Sequence, residues 1–423
     1  MRTLAVIFSL TIFAYGLGQD KAIDSLPEPF ATKSVSKFSN VIGWEDGRTP
    51  KAPEGFTVTK YADGFENPRW LYELPNGDIL VAQGNSNYGF FKRIGAWLIG
   101  AGKSKNLSPS ADLITLLRDI DNDGKPDVRE TFLHDGLNQP FGMLLIGNSF
   151  YVANTDALMR YPYKEGQMSI TAKGEKIATL PAGKANQHWT RNIITNGDES
   201  KIYIAVGSGS NIAENGIEKE LLKANILRCN TDGSELEVHA SGLRNPVGMD
   251  WEPETQALWT VVNERDGLGN FLVPDYLTSV QENGFYGWPY TYFGHEDPRV
   301  KIEKPMRRGE ALIPDYALKS HTASLGLVFY DGNSFPEKYR GGAFIVQHGS
   351  WNKEKLSGYR VIYIPFKNGK PSGPEEDFLT GFIVNPNEDE VYGRPVGAIV
   401  TQDGSLLVTD DKTHTIWRIN TTD

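Results

Sequence analysis

His188 stands in the stretch Gln187-His188-Trp189-Thr190-Arg191-Asn192, and Arg244 with Asn245 in Gly242-Leu243-Arg244-Asn245-Pro246-Val247-Gly248. An imidazole with a reference pKa of about 6.5 suits the removal of a proton from an alcohol near neutral pH. A guanidinium beside an amide supplies charge and a hydrogen bond to an anionic or quinonoid oxygen. The alternative for His188 is a structural role, the commoner one for a lone histidine. The chain's seven histidines form no HxH or HExxH pattern, so no histidine metal site is indicated. There is no GxSxG nucleophile elbow, and no GxGxxG that follows a strand and opens a helix.

A second chemistry lies in Asp119-Ile120-Asp121-Asn122-Asp123-Gly124-Lys125-Pro126-Asp127-Val128-Arg129-Glu130. Carboxylates at loop positions one, three, five, nine and twelve, with glycine at six, give the oxygen spacing of a calcium loop. Lys125 contributes through its backbone carbonyl. The flanks read as strands, which predicts a hairpin loop holding a structural calcium with Asp119, Asp121, Asp123, Asp127 and Glu130. The alternative is an acidic turn that uses its carboxylates on its own backbone.

The elements that must position these residues repeat along the chain. Arg244-Asn245-Pro246-Val247-Gly248 precedes the strand-like run Ala257-Leu258-Trp259-Thr260-Val261-Val262. Degenerate copies open at Asn67-Pro68-Arg69, Asn138-Gln139-Pro140, His188, His321-Thr322 and Gly393-Arg394-Pro395, each read as a polar pair, a turn and then a strand. Six such phrases predict an all-β, six-bladed propeller, one blade per repeat. Equivalent positions of every blade converge on one end of a central channel. Arg69, Gln139, His188, Arg244, Asn245, Thr322 and Arg394 can therefore share a pocket while lying far apart in sequence. Gly55 to Tyr61 is expected to pair with the C-terminal strand near Thr415 to Ile419 and close the ring.

The chain has 423 residues and a formal charge of −10, with charges interspersed and no basic stripe for nucleic acid. A basic start, an apolar run and small residues predict a signal peptide over 1–18. A polar extension is expected over 19–53 and the propeller over 54–423. No membrane span is expected, and the address is secreted or periplasmic. Cys229, the single cysteine, reads as a small apolar strand residue. A Gly/Lys/Ser-rich insertion at 88–111 is a candidate loop over the channel mouth. The longest insertion, 265–320, carries Tyr286-Gly287-Trp288-Pro289-Tyr290, Tyr292 and Phe293, half of which are expected to pack rather than stack a ligand.

These pieces, with Asn263-Glu264-Arg265-Asp266 and His348-Gly349-Ser350-Trp351-Asn352, resemble those of PQQ-dependent pyranose and L-sorbosone dehydrogenases, relatives of the soluble PQQ glucose dehydrogenase. The likeness runs from about Glu54 to the end, in order and spacing. It implies a six-bladed propeller that binds PQQ and calcium and oxidises an aldose, sorbosone or related pyranose. By the resemblance, His188 is the base for the sugar C1 hydroxyl, and Arg244 contacts the quinone oxygen that receives the hydride. Asn245 contacts the cofactor, and Thr322, Lys353 and Arg394 hold its carboxylates, with Lys355 as an alternative for the lysine. Backbone carbonyls at Glu264-Arg265-Asp266 fall where the family holds calcium. The chain departs from the glucose enzyme at Ser208, where the family has an aspartate that orients the histidine; Glu214 and Glu220 are candidate replacements. It departs again where Arg265-Asp266 replace a Gly-Pro pair. No CxxCH haem motif is present, so electrons are expected to leave to a separate acceptor, a cytochrome or quinone. Two other readings fit a propeller: a lactonase with channel calcium as Lewis acid, which wants more carboxylate ligands than the phrases carry, and a non-catalytic glycan- or protein-binding module.

Overall fold

The computed structural model describes residues 26–87, 101–105, 107–301 and 311–422. It is built of six four-stranded antiparallel sheets. Blade A contains Pro68–Glu73, Ile79–Gln83, Leu113–Arg118 and Val128–Leu133, and blade B contains Met143–Ile146, Ser149–Ala153, Ala157–Pro162 and Glu175–Thr179. Blade C contains Ile193–Thr195, Lys201–Val206, Asn225–Asn230 and Glu237–Ser241. Blade D contains Pro246–Trp251, Leu258–Val262, Pro274–Ser279 and Tyr316–Ser320, and blade E contains Ser324–Phe329, Ala343–Gln347, Arg360–Ile364 and Glu376–Leu379. In blade F, Pro395–Val400, Leu406–Asp410 and Thr415–Thr421 are joined by Phe56–Ala62 as the outermost strand. That first strand pairs antiparallel with the last, Phe56 opposite Thr421 and Lys60 opposite Trp417, which closes the ring as expected. Among the described residues the only helical elements are three short 3-10 turns.

The repeat phrase does not make a turn ahead of the strand. It is the entrance to the innermost strand, and the strand predicted after it is the second of the blade. Proline is tolerated there because the first residue of a strand needs no ladder donor. Pairing in four blades shifts register within the phrase, at Pro68/Trp70, Pro246/Met249, Ser324/Gly326 and Pro395/Ala398. Such bulges bend the strand end and re-aim its side chains, here at the mouth of the channel.

The phrase glycines mark where neighbouring blades meet. A side chain on Gly248 would lie 2.4 Å from the backbone nitrogen of Leu327, and one on Gly397 would lie 2.8 Å from the Arg69 carbonyl. The second strands, such as Ile79–Gln83, Leu258–Val262 and Ala343–Gln347, are buried throughout, because a blade covers each face. Cys229, on the third strand of blade C, is a buried apolar position too, and burial pushes its thiol up to about 11.

Residues 26–53 lie along the propeller. Lys37 donates to the Trp351 carbonyl, Asn40–Val41 pairs in parallel with Glu390–Val391, and Lys51 pairs with Thr380. Phe38 stacks on Trp351 at 5.5 Å, and Trp44 packs among Phe382, Tyr392 and Trp417. The aromatics of the long insertion are core: Tyr286, Trp288, Tyr290, Tyr292 and Phe293 are all buried. The expected signal segment at 1–18 and most of the 88–111 insertion lie outside the described residues.

Candidate active site

His188 sits at the entrance to blade C, and Gly207 to Ser210 leave the second strand of the same blade and pass beneath it. A side chain on Gly207 would meet the His188 Cβ at 2.5 Å and Asn245 Oδ1 at 2.3 Å, so these two residues are neighbours across one glycine. Arg191, fully buried, donates to the carbonyls of His188 and Thr190 at 2.8 Å and holds the backbone in place.

The imidazole is held at Nδ1. The Ser208 carbonyl lies at 2.8 Å and the Ser208 hydroxyl oxygen at 3.0 Å. That hydroxyl donates its own proton to the Ser210 carbonyl at 2.6 Å, so both oxygens facing Nδ1 are acceptors. Nδ1 therefore carries the proton, and in the neutral ring Nε2 carries a free lone pair. The ring is neutral at physiological pH, since burial, then the Arg244 charge, lower its pKa to about 3.

Arg244 is 1 % exposed, and every N–H it owns has an acceptor. Nε donates to Asn211 O at 3.2 Å; one terminal nitrogen donates to Asn263 O at 3.2 Å and Glu264 O at 2.7 Å; the other donates to Asn211 Oδ1 at 2.9 Å and Asp266 Oδ2 at 3.3 Å. Its fixed positive charge reaches the channel without a new bond. A hydrogen bond to a ligand oxygen requires release of one of the longer contacts. Asn245 Oδ1 is buried and has no partner.

Asp266 ties blades C, D and E together. Its carboxylate takes Asn352 Nδ2 at 2.5 Å and lies 3.5 Å from His321 Nδ1, besides its contact to Arg244. Burial raises its pKa, but His321, Arg244 and Asn352 outweigh this and hold it below the usual value. Asp275 joins blades D and E, accepting from Glu264 N, Ser324 N and the Thr322 hydroxyl.

A cation-rich wall continues around the channel. Arg69 donates to Asp411 at 2.6 Å, and its guanidinium lies 5.5 Å from the ring of Trp189, the residue after His188. Lys412 contacts Asn67 Oδ1 at 2.9 Å and Asp411 at 3.1 Å. Arg394 donates to the carbonyls of His348 and Gly349, both at 3.2 Å, and His348 Nε2 pairs with Asp411 at 3.0 Å. Burial raises the Asp411 carboxyl, but Lys412, His348 and Arg69 hold it well below the ordinary range. Burial and Arg394 lower His348 to about 3, so it is neutral and Asp411 is the one firmly ionised carboxylate facing Arg69, Arg394 and Lys412. Arg69 Nε is buried with no partner. A polar cleft of about 1270 Å³, lined by Gln139, Asn186, Gln187, Trp189 and Lys223, opens beside His188.

The sequence-predicted residues divide accordingly. His188, Arg244 and Asn245 come together, and Arg394 stands on the cationic wall. Lys353 contacts Ser320 O at 3.2 Å and keeps donors to spare, with burial lowering its pKa. Thr322 is 0 % exposed and its hydroxyl is used on Asp275. The carbonyls expected to hold a channel calcium are engaged as well. Glu264 O takes Arg244, and Asp266 O takes Arg299 at 2.5 Å and Asn211 at 3.0 Å. The buried Arg265 side chain pairs with Glu264 at 2.8 Å. Two guanidinium groups on these carbonyls repel a divalent cation, so Arg265 and Asp266 do not offer it a fitting donor set. In the surface loop, oxygens of Asp119, Asp121 and Asp127 lie within 4.8 Å of one another, and Asp119 Oδ1 is buried without a partner. Each of the three also accepts a backbone N–H of the loop, from Gly124, Asp123 and Ile120, as Asp123 does from Lys125 at 2.8 Å, and Glu130 lies in the following strand.

Asn211, His321 and Asn352 were not assigned a role from sequence, and Arg69 was expected only as one of the residues sharing the pocket. Asn67, Gln139 and His321 share a signal at their phrase positions, a backbone with φ of 54°, 50° and 60°. That conformation is sparsely populated outside glycine and clusters at functional sites.

A six-bladed propeller with a neutral histidine, an arginine and a cationic wall at one channel mouth is the class of protein that fold and site define. Residues 95–416 match the family described as a domain of unknown function (DUF7133), and the chain belongs to that family. An uncharacterized protein of Borreliella burgdorferi is 28% identical over 88% of this chain and 90% of its own length. An aldose sugar dehydrogenase of Escherichia coli (strain K12) is 32% identical, over 25% of this chain and 27% of that protein. The holo form of a pyranose dehydrogenase PQQ domain from Coprinopsis cinerea superposes with a TM-score of 0.69 at 19% identity, covering 90% of this chain and 100% of that one. The resemblance to the soluble PQQ glucose dehydrogenase-like family is thereby borne out.

Proposed function

We propose that the chain is an exported PQQ-dependent dehydrogenase that oxidises an aldose, sorbosone or related pyranose and passes the electrons to a separate acceptor. The observation that carries this reading is His188: a neutral imidazole with its proton held at Nδ1 and a free Nε2, beside Arg244 and Asn245. The cofactor's carboxylates find a matching surface in Arg69, Arg394 and Lys353, and the orphaned Arg69 Nε is a donor in want of an acceptor. PQQ, when bound, supplies the quinone carbonyl that accepts the substrate's hydride. His188 Nε2 takes the proton of the sugar C1 hydroxyl. Arg244 stabilises negative charge developing beside it, an effect greater in the transition state than before it. Asn211 and Asp266 hold Arg244 in position, and the amide-lined cleft receives the sugar hydroxyls. We place calcium in the 119–130 loop as a structural ion and derive no step from a channel calcium. Among the described residues no helix is long and apolar enough to cross a membrane.

Titrating PQQ into the purified protein, followed by dye reduction with a panel of aldoses, L-sorbosone and lactones, tests the reading. Tight PQQ binding with sugar-dependent dye reduction is expected. Lactone hydrolysis without PQQ, or no PQQ binding at all, contradicts it.

A further inference from the structure

The family's orienting aspartate is replaced by Ser208, and a serine alone does not fix a tautomer. A hydroxyl can either donate to Nδ1 or accept from it. Which it does here is decided by what lies behind it. Ser208 is 0 % exposed, and its hydroxyl proton is committed to the Ser210 carbonyl. Ser210 is in turn fixed by Glu220, the last residue of the 3-10 turn Ile217–Glu220. One Glu220 oxygen takes the Ser210 hydroxyl, and the other takes Gly209 N–H at 2.6 Å. Glu220 is only 5 % exposed. A buried carboxylate needs compensation, which here comes from these two donors and from the Lys223 charge that acts alongside. Lys223 reaches the Ala185 carbonyl, three residues before His188. The backbone has no slack: a side chain on Gly209 would lie 2.5 Å from that same carbonyl. Glu214, the other candidate, is spent on the backbone nitrogens of Asn211 and Ile212 and touches no part of the serine chain.

We propose that Glu220 is the positioning residue that keeps His188 in its Nδ1–H form, by holding the 208–209 peptide whose carbonyl accepts from Nδ1 and, through Ser210, the Ser208 hydroxyl beside it. This rests on the reading of His188 as the base. With the carboxylate in place, the Ser208 hydroxyl points away and offers Nδ1 a lone pair. Without it, Ser210 and the 208–209 peptide are both released, the Ser208 carbonyl no longer fixes the proton at Nδ1, the Ser208 hydroxyl can turn and donate there, and the ring proton moves to Nε2. The basic lone pair is then lost from the channel with no change in the residues lining it.

The test is a tautomer measurement on cofactor-free protein carrying 15N-labelled histidine, in which two-bond proton–nitrogen correlations report the protonated nitrogen. Wild type is expected to show Nδ1–H, and Glu220→Ala to show a mixture or Nε2–H. Glu220→Gln, whose amide oxygen can accept only one of the two bonds, gives a smaller change of the same kind if the alanine variant does not fold. With PQQ loaded, both variants are expected to lose about 10- to 100-fold in kcat, a part of the general-base effect, at unchanged KM and unchanged PQQ affinity. An Nδ1–H signal at wild-type strength in folded Glu220→Ala, or in both Glu220 variants, overturns the proposal. A tautomer change with unchanged kcat supports the positioning role and overturns the base reading instead.

Discussion

At the scale of single residues, the site turns on one proton. His188 is neutral because burial and Arg244 both oppose its protonation. An ordinary histidine base would switch off as the pH falls through about 6.5. A histidine whose folded pKa is about 3 stays unprotonated far below that, so kcat/KM, which reports the free enzyme, is predicted to stay flat from pH 7.5 to 5. In the cofactor-free protein the His188 ring-proton shift should hold constant over the same range, as should that of His348, lowered likewise to about 3 by burial and Arg394. A titration midpoint near 6.5 for His188 would show that neither burial nor the Arg244 charge acts on it as described. The sign for stability follows: below about 6.5 the unfolded chain takes up protons at these two histidines that the native chain refuses, so their contribution to stability declines with falling pH toward 3.

At the scale of elements, the bulged inner strands and their glycines set the geometry. Gly248→Ala places a methyl group 2.4 Å from the Leu327 backbone of the next blade, where no flexible side chain can yield. A loss of about 1–3 kcal/mol in denaturant unfolding is predicted, the usual cost of overpacking. The loop between the third and fourth strands of blade A makes a separate prediction. Asp121→Ala should remove the Tm gain that calcium gives over chelator in wild type, with turnover intact at saturating PQQ. Equal melting in calcium and in chelator for wild type would identify the loop as a bare acidic turn.

These elements also show what was legible beforehand. The phrases Arg244-Asn245-Pro246 and Gly393-Arg394-Pro395 gave blade number and channel register because each is local and repeated. Their strand character was missed: proline and glycine signal a turn in isolation, but a blade edge tolerates both. Asn352 meets Asp266 across 86 residues, and Arg69 meets Asp411 across 342. Neither pairing leaves a local pattern. The carbonyl occupancy at Glu264 and Asp266 was hidden for the same reason, because Arg299 arrives from a separate turn of the long insertion.

At the scale of the whole molecule, ring closure by Phe56–Ala62 places six strand entrances around one mouth, so that in the proposed function a base from blade C, an arginine from the C–D junction and cations from blades A and F face one ligand. The channel's own arginines occupy the carbonyls expected for calcium, which predicts that PQQ affinity, read by fluorescence titration, is unchanged by a calcium chelator. A large loss of affinity on chelation would show that Arg244 and Arg299 give way to the ion. The central claim is that His188 takes the substrate proton as hydride leaves for PQQ. Its most direct test is anaerobic single-turnover spectroscopy of PQQ-loaded protein mixed with an oxidisable aldose, comparing wild type with His188→Ala at equal PQQ content. The account predicts reduction of the bound quinone that is slower by roughly 10²- to 10⁴-fold in the variant, the range of a general base. Reduction at the wild-type rate in folded His188→Ala would contradict it.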